Sequence, residues 1–370
     1  MKILYITTIG GTMVFFRSFV RELVEQGHTV DIACSQTEKV QDCYREWNCN
    51  IYPLSCSRSP MKKGNLTAIK QIRKLVAENH YNIVHCHTPI AAACTRIACR
   101  KARKNGTKVF YTAHGFHFYK GAPLKNWLVY YPVEKLCARW TDLLITINRE
   151  DYALAQKKLK TKKIAHVSGV GFEVEKFTNT QVDRSAKRQE IGVPEDAFLL
   201  LSVGEVNENK NHQVVVRALA QLDNPNIHYA IAGKGSWDVK LVALAKELGV
   251  ENQFHLLGYR SDVAELYRAA DVCCFPSIRE GLGLAALEGL SSGKPIIASK
   301  NRGAYEYVRE GENGFFCPYN DAKAFAEAIY KLYSDGALME KMQKEASKEV
   351  SKFDVHTINQ VMHQLYDENK

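Results

Sequence analysis

No stretch of this 370-residue chain stays apolar long enough to cross a bilayer, so a membrane-spanning protein is not expected. The sequence opens directly on a strand-like run, Lys2 to Thr7, and no secretory leader is expected. Eleven cysteines are scattered without a Cys-x-x-Cys pair. That argues against a zinc site or dithiol redox centre and fits the reduced thiols of a cytoplasmic protein. The first glycine turn, Gly10-Gly11, is not Gly-x-Gly-x-x-Gly, so the dinucleotide-cofactor signal is missing there. Asp-x-Asp is absent throughout, and no Mg2+ or Mn2+ seat, no metal ligand and no cofactor are expected. Nor does the chain carry a recognisable RNA- or DNA-binding module, although its charge alone would suit nucleic acid.

What is present is ordinary for a folded protein: 46% hydrophobic and 24% charged residues, over a length sufficient for two domains. The net charge of +10 is unevenly spread. Between Trp47 and Val133 fourteen Lys or Arg face a single acid, Glu78, and the remainder is slightly acidic. A basic first half suggests an anionic partner on that side.

Strand-like apolar runs alternate with helical patterns along the whole chain, which predicts parallel sheets. The strands fall at Lys2–Thr7, His28–Cys34, Asn82–His87, Lys108–Ala113, Leu143–Ile147 and Ile164–Ser168 in the first half. In the second they fall near Phe198–Val203, Ile227–Ala232, Phe254–Gly258, Asp271–Phe275, Pro295–Ser299 and Gly314–Cys317. A helix is predicted over Asn65–Asn79, with Leu66, Ile69, Ile72, Leu75 and Val76 at helical spacing. The segment Phe110 to Trp140 is rich in aromatics, among them Trp127, Tyr130 and Tyr131, interleaved with Lys120 and Lys125. Such a mixture suits either a membrane interface or a helix packed on its sheet.

The most informative stretch runs from Arg279 to Pro295, between two strand runs. Glu280 and Glu288 stand eight residues apart, with Gly281 and Gly283 where a loop turns into a helix starting near Leu284. Free amides at a helix start accept a phosphate, and glycine lets the backbone approach it. At ~1.5 Å per residue of helix, eight residues span roughly 12 Å, about the reach from a transferred sugar to its nucleotide ribose. The bland alternative is a pair of solvated helix glutamates.

Glu280-x7-Glu288 within this glycine-bearing turn resembles the donor-site motif of retaining glycosyltransferases of family 4, and nearly the whole chain fits that pattern. The resemblance implies an α/β protein of the GT-B fold: two facing Rossmann-like domains with parallel sheets. It places an acceptor-binding domain at residues 1–177, a nucleotide-sugar domain at 178–355, and a last helix, 356–370, crossing back to the first domain. It assigns Glu288 to the ribose, Glu280 to the sugar or its leaving oxygen, and Gly281, Gly283 and Leu284 to the phosphates. Gly204 and Lys210, in a second strand–turn–helix unit, would hold the diphosphate. Gly11 would offer a backbone amide opposite. His114, at a strand's carboxyl end, would touch the donor sugar near the reacting carbon, or else only bond loop backbone. His117 and Lys120 would line the acceptor side. Arg260 would line the nucleobase pocket or pair with Asp262. Two positions depart from the family pattern: Glu205 stands where Arg is common, and Glu173 where Asp is usual.

The activity implied is metal-independent, retaining transfer of a hexose or N-acetylhexosamine from a nucleotide sugar, a UDP-sugar being the commonest. The acceptor implied is an undecaprenyl-diphosphate-linked saccharide at the anionic cytoplasmic membrane face, in bacterial capsule or exopolysaccharide synthesis. A nucleotide-sugar epimerase or a phosphorylase on the same fold is the alternative enzyme, and a basic nucleic-acid-binding protein the alternative of another class.

Overall fold

The computed structural model describes residues 1–59 and 61–370. The chain divides into two compact units, Met1–Gly171 with Val355–Lys370, and Phe172–Asp354. The division after Gly171 falls six residues ahead of the boundary expected after residue 177.

The first unit holds strands β1 (Lys2–Ile9), β2 (Thr29–Ser35), β3 (Ile51–Pro53), β4 (Ile83–His87), β5 (Lys108–Ala113), β6 (Leu143–Thr146) and β7 (Lys163–His166). They form one parallel sheet in the order β3-β2-β1-β4-β5-β6-β7. Its strands are apolar almost throughout because both faces are covered. Alternate residues of β1 show the division: Leu4 and Ile6 enter the core beneath the helices Gly64–Asn79, Pro89–Cys99 and Leu124–Ala138. Ile3 and Tyr5 enter the opposite core, against the helices Arg17–Glu25 and Val355–Asn369.

The last helix is therefore part of the first unit, as the family resemblance implies. Tyr366 anchors it, donating to Tyr5 Oη at 3.0 Å and lying 2.7 Å from His85 Nδ1. Asn359 and His363 bind the two carboxylate oxygens of Glu22 at 2.5 and 2.9 Å.

The second unit holds β8 (Phe198–Val203), β9 (Ile227–Ala232), β10 (Phe254–Gly258), β11 (Val272–Phe275), β12 (Ile296–Ser299) and β13 (Gly314–Cys317), parallel in the order β10-β9-β8-β11-β12-β13. Leu200, Tyr229, Ile231, Val272 and Ile297 pack against the helices Gln213–Leu222, Asp238–Glu247 and Ala322–Ser334.

Two local features lay outside the sequence reading, and one open alternative is decided in favour of packing. The three-residue edge strand β3 was not anticipated, being too short to show an alternation and carrying Pro53, tolerated only at an edge. Behind Gly10 the chain forms a 3-10 helix, Gly10–Phe16, before the α-helix begins at Arg17. The aromatics between Phe110 and Trp140 are mostly packed: Tyr111, Phe116 and Phe118 are buried, and Trp127 and Tyr131 lean on the core. The aliphatic residues Leu124, Leu128, Val129, Val133 and Leu136 are the exposed ones.

Candidate functional site

In each unit the strand order reverses at one point, between β1 and β4 in the first and between β8 and β11 in the second. Loops leaving the carboxyl ends of such neighbours diverge and open a crevice where ligands bind. Of the sequence-predicted residues, Gly11 follows β1, Gly204 and Lys210 follow β8, and Glu280, Gly281, Gly283, Leu284 and Glu288 follow β11, all at these points, whereas His114, His117 and Lys120 follow β5 and Arg260 follows β10.

In the second unit, the loop after β8 carries Lys210 and the loop after β11 carries Glu280, and Lys210 Nζ lies 2.8 Å from Glu280 Oε1. The two loops are laced together: Ile278 N donates to Asn209 O at 2.8 Å, Asn209 Nδ2 to Arg279 O at 3.0 Å, and Asn211 Nδ2 to Pro276 O at 3.2 Å. From the loop after β12, Asn301 Nδ2 donates to Ser277 O, Arg302 Nε to Glu280 O, and Tyr307 Oη to Leu282 O. Backbone positions around Glu280 are thus fixed by side chains from two neighbouring loops.

The helix Leu284–Ser291 begins after Gly283, whose φ of +96° is left-handed. A Cβ at Gly283 would stand 2.4 Å from Phe275 Cζ, so the turn also needs the space. Because the helix starts only at Leu284, half of the Glu280–Glu288 separation is loop, and the 12 Å estimate for continuous helix does not apply. Of the first-turn amides, Ala286 N donates to Gly283 O at 3.2 Å; those ahead of it stand where a helix start has no intrahelical acceptor to offer and where a phosphate is accepted. Gly204, at φ +141°, turns the chain beneath Lys210: a Cβ there would lie 3.5 Å from Lys210 Cε.

Glu288 sits one turn into this helix, largely enclosed. Burial pushes its carboxyl up to about 7, against smaller lowering effects of the Tyr267 hydroxyl, Lys176 and Lys210. Tyr267 Oη donates mainly to Ala285 O, at 2.6 Å, and only distantly to Glu288 Oε2, at 3.4 Å. Glu288 is therefore a poorly solvated carboxyl beside two lysines, suited to accept hydroxyl donors from a ligand.

Arg260 takes the second of its two expected placements. Asp262 and Glu190 both grip its guanidinium, with Nε 2.8 Å from Asp262 Oδ1, and Lys187 joins the same carboxylates. Glu205 is exposed.

In the first unit, His114 follows the end of β5, and its Nε2 lies 3.2 Å from Nδ1 of buried His87 at the end of β4. Burial lowers His114 to about 4 and holds His87 well below the ordinary histidine value, so both rings are neutral at pH 7. Gly11 faces Glu38, whose carboxylate fills the place a Cβ would take. His117 stacks on Tyr130 with centroids 4.4 Å apart, beside a cavity of about 250 Å3 lined also by Thr8, Thr12, Arg58 and Thr88. Lys120 is exposed and not among its lining residues. Among the described residues, no three His, Cys, Asp or Glu side chains gather as a cation seat.

Sequence reasoning missed His87, Arg58, Tyr267, Arg302 and the asparagines Asn209, Asn211 and Asn301. The clearest signal available was the run Asn207-Glu208-Asn209-Lys210-Asn211, dense in side chains that brace loops.

Residues 183–349 match the family described as Glycosyl transferases group 1, and residues 2–148 the one described as Glycosyl transferase 4-like. EpsD of Bacillus subtilis (strain 168), a protein named as a glycosyltransferase on provisional grounds, is 39% identical over 360 residues, 95% of this chain and 92% of that one. An Escherichia coli UDP-Gal:alpha-D-GlcNAc-diphosphoundecaprenol alpha-1,3-galactosyltransferase is 27% identical over 321 residues, 84% of this chain and 81% of the relative. The crystal structure of Anabaena HepE in complex with UDP matches all of both chains with a TM-score of 0.84 at 22% identity. Fold and matches together define a glycosyltransferase of the GT-B architecture. Within that class, the chain belongs to the GT4-like, group 1 glycosyltransferases.

Proposed function

We propose that this enzyme transfers a hexose or N-acetylhexosamine from a UDP-sugar to a lipid-linked saccharide, with retention at the anomeric carbon and without a metal ion. The observation that carries the reading is the crevice of the second unit, where Lys210, Glu280 and the start of the Glu288 helix meet between β8 and β11. Glu288 accepts the ribose hydroxyls. Lys210 and the first-turn amides take the diphosphate, whose negative charge grows as the sugar C1–O bond breaks. The acceptor oxygen bonds C1 and gives up its proton, which balances the leaving phosphate oxygen. Neutral His114 serves as a hydrogen-bond partner for the sugar. The donor class is supported by the UDP bound to HepE, and the acceptor class by the name of the E. coli relative.

The membrane side of the proposal rests on the helix Leu124–Ala138. Leu124 and Leu128 are 72% and 68% exposed, next to exposed Lys125 and Lys135. An apolar face rimmed by lysines suits the anionic surface of a bilayer, so the enzyme works at the cytoplasmic membrane face, in exopolysaccharide or capsule synthesis. Among the described residues, no helix is long and apolar enough to cross the membrane.

Thermal stability with UDP, GDP or ADP in EDTA tests the donor site. A nucleotide at ~100 times its dissociation constant adds about 2.7 kcal/mol to the native state. UDP is expected to stabilise the wild type selectively and Glu288→Ala hardly at all. Equal stabilisation of both proteins would remove Glu288 from the ribose.

A further inference from the structure

Beside the 250 Å3 cavity of the first unit lies a second of about 180 Å3, and the two share Pro89, Ile90 and Tyr130 in their walls. The two adjoin at these three residues and, taken together as one recess, have ends of opposite character. At one end stand Thr8, Thr12, Arg58, Thr88 and His117. The Thr8 and Thr88 hydroxyls lie 2.6 Å apart at the ends of β1 and β4. Arg58 is 73% exposed and touches Glu38 only at 3.8 Å, so its guanidinium is weakly held.

The other end is walled by Ala93, Cys94, Ile97, Val129 and Val133, between the helices Pro89–Cys99 and Leu124–Ala138. Its two polar residues are committed elsewhere. Glu134 is clamped by Arg96 through two bonds of 2.8 and 2.9 Å, and Asn65 Nδ2 donates to Ser59 O. Val129 and Val133 are about half exposed, at 49% and 44%, on the helix that also exposes Leu128 and Leu136. The apolar end thus opens toward the same surface assigned above to the membrane.

We propose that this recess seats a polyprenyl diphosphate: Arg58 binds the diphosphate, and the first isoprene units run along Ala93, Ile97, Val129 and Val133 into the bilayer. The occupant must be an amphiphile with an anionic head, because a free nucleotide or sugar phosphate would leave the apolar end wet. This deepens the lipid-linked acceptor reading and rests on it. It differs in naming the tail, and not only the saccharide, as a recognised part.

Calorimetric titration with farnesyl diphosphate and with inorganic diphosphate tests the proposal without any sugar transfer. Farnesyl diphosphate is expected to bind the wild type at least about tenfold more tightly, from burial of a few methylene-sized groups. Ala93→Phe, which fills the groove, should abolish that difference, and Arg58→Gln should weaken both ligands. Val133→Trp gives a second blocked groove, and an unchanged circular-dichroism melt confirms that each variant is folded. Equal affinity of the two ligands for the wild type, or a difference that survives in both blocked variants, would overturn the proposal. Because UDP binding is measured separately in the second unit, a failed tail site leaves the donor reading intact, and a failed donor site leaves this result interpretable.

Discussion

Replacing Glu288 with Gln gives a prediction whose sign runs against intuition: the variant should be the more stable protein at alkaline pH. Burial raises the Glu288 carboxyl from 4.5 to about 7 in the folded state. Below about pH 4.5 it is protonated whether the chain is folded or not, and costs nothing. Between there and pH 7 the unfolded chain loses its proton while the folded one keeps it, so the native state loses ground as pH rises. Above pH 7 the whole cost is present, and the shift corresponds to roughly 3 kcal/mol as an upper figure. Gln keeps the shape and removes the ionisation. At pH 8 the Glu288→Gln unit should therefore melt on the order of 5–10 °C above wild type, with the two curves converging by pH 5. Thermal melts by calorimetry across that range are the assay. The same substitution should abolish UDP stabilisation if, as proposed, the carboxylate accepts the ribose hydroxyls. Parallel pH curves for the two proteins would refute the claim that Glu288 is held in an unfavourable, poorly solvated site.

Lys210→Met should lower kcat by about 10²–10³-fold, the usual loss when one charge-stabilising group is removed, as read by UDP release from a UDP-sugar. His114→Phe keeps a ring against Phe16 and His87 but not the hydrogen bond, so kcat should fall at least tenfold or so while UDP stabilisation is unchanged. Gly283→Ala meets both a left-handed backbone and Phe275 at 2.4 Å, and should cost more than about 2 kcal/mol in denaturant melts. Glu205→Arg, at an exposed position, should tighten UDP binding in low salt and lose that gain in high salt.

Much of the fold was readable because its strands are buried on both faces and announce themselves as unbroken apolar runs, as in Ile3 to Ile6 or Ile296 to Ala298. The edge strand Ile51–Pro53 lacks that signature. The motif around Glu280 was legible through its glycines, whereas the start of its helix depended on the left-handed turn at Gly283. Pairings across the sheet were out of reach of local patterns. His87 and His114 meet because β4 and β5 are neighbours in register, with His87 opposite Thr112, a fact of topology and not of spacing along the chain. The sequence offered Arg260 its pairing with Asp262 but could not choose that over the nucleobase pocket, because Glu190, its second carboxylate, lies seventy residues away. The exposed side of Leu124–Ala138 was equally hidden. Its apolar residues are spread around the helix and not confined to one stripe, and its packing on Phe118 and the Arg96–Glu134 clamp decide which of them face out.

Glycosyl transfer itself is tested most directly by following UDP release from UDP-glucose, UDP-galactose and UDP-N-acetylglucosamine in EDTA, with and without undecaprenyl-diphosphate-linked N-acetylglucosamine in mixed micelles. The account predicts that one of these donors releases UDP only when the lipid-linked acceptor is present, that EDTA makes no difference, and that the new linkage keeps the donor's anomeric configuration. Release that ignores the acceptor, strict dependence on added metal, or an inverted linkage would contradict it.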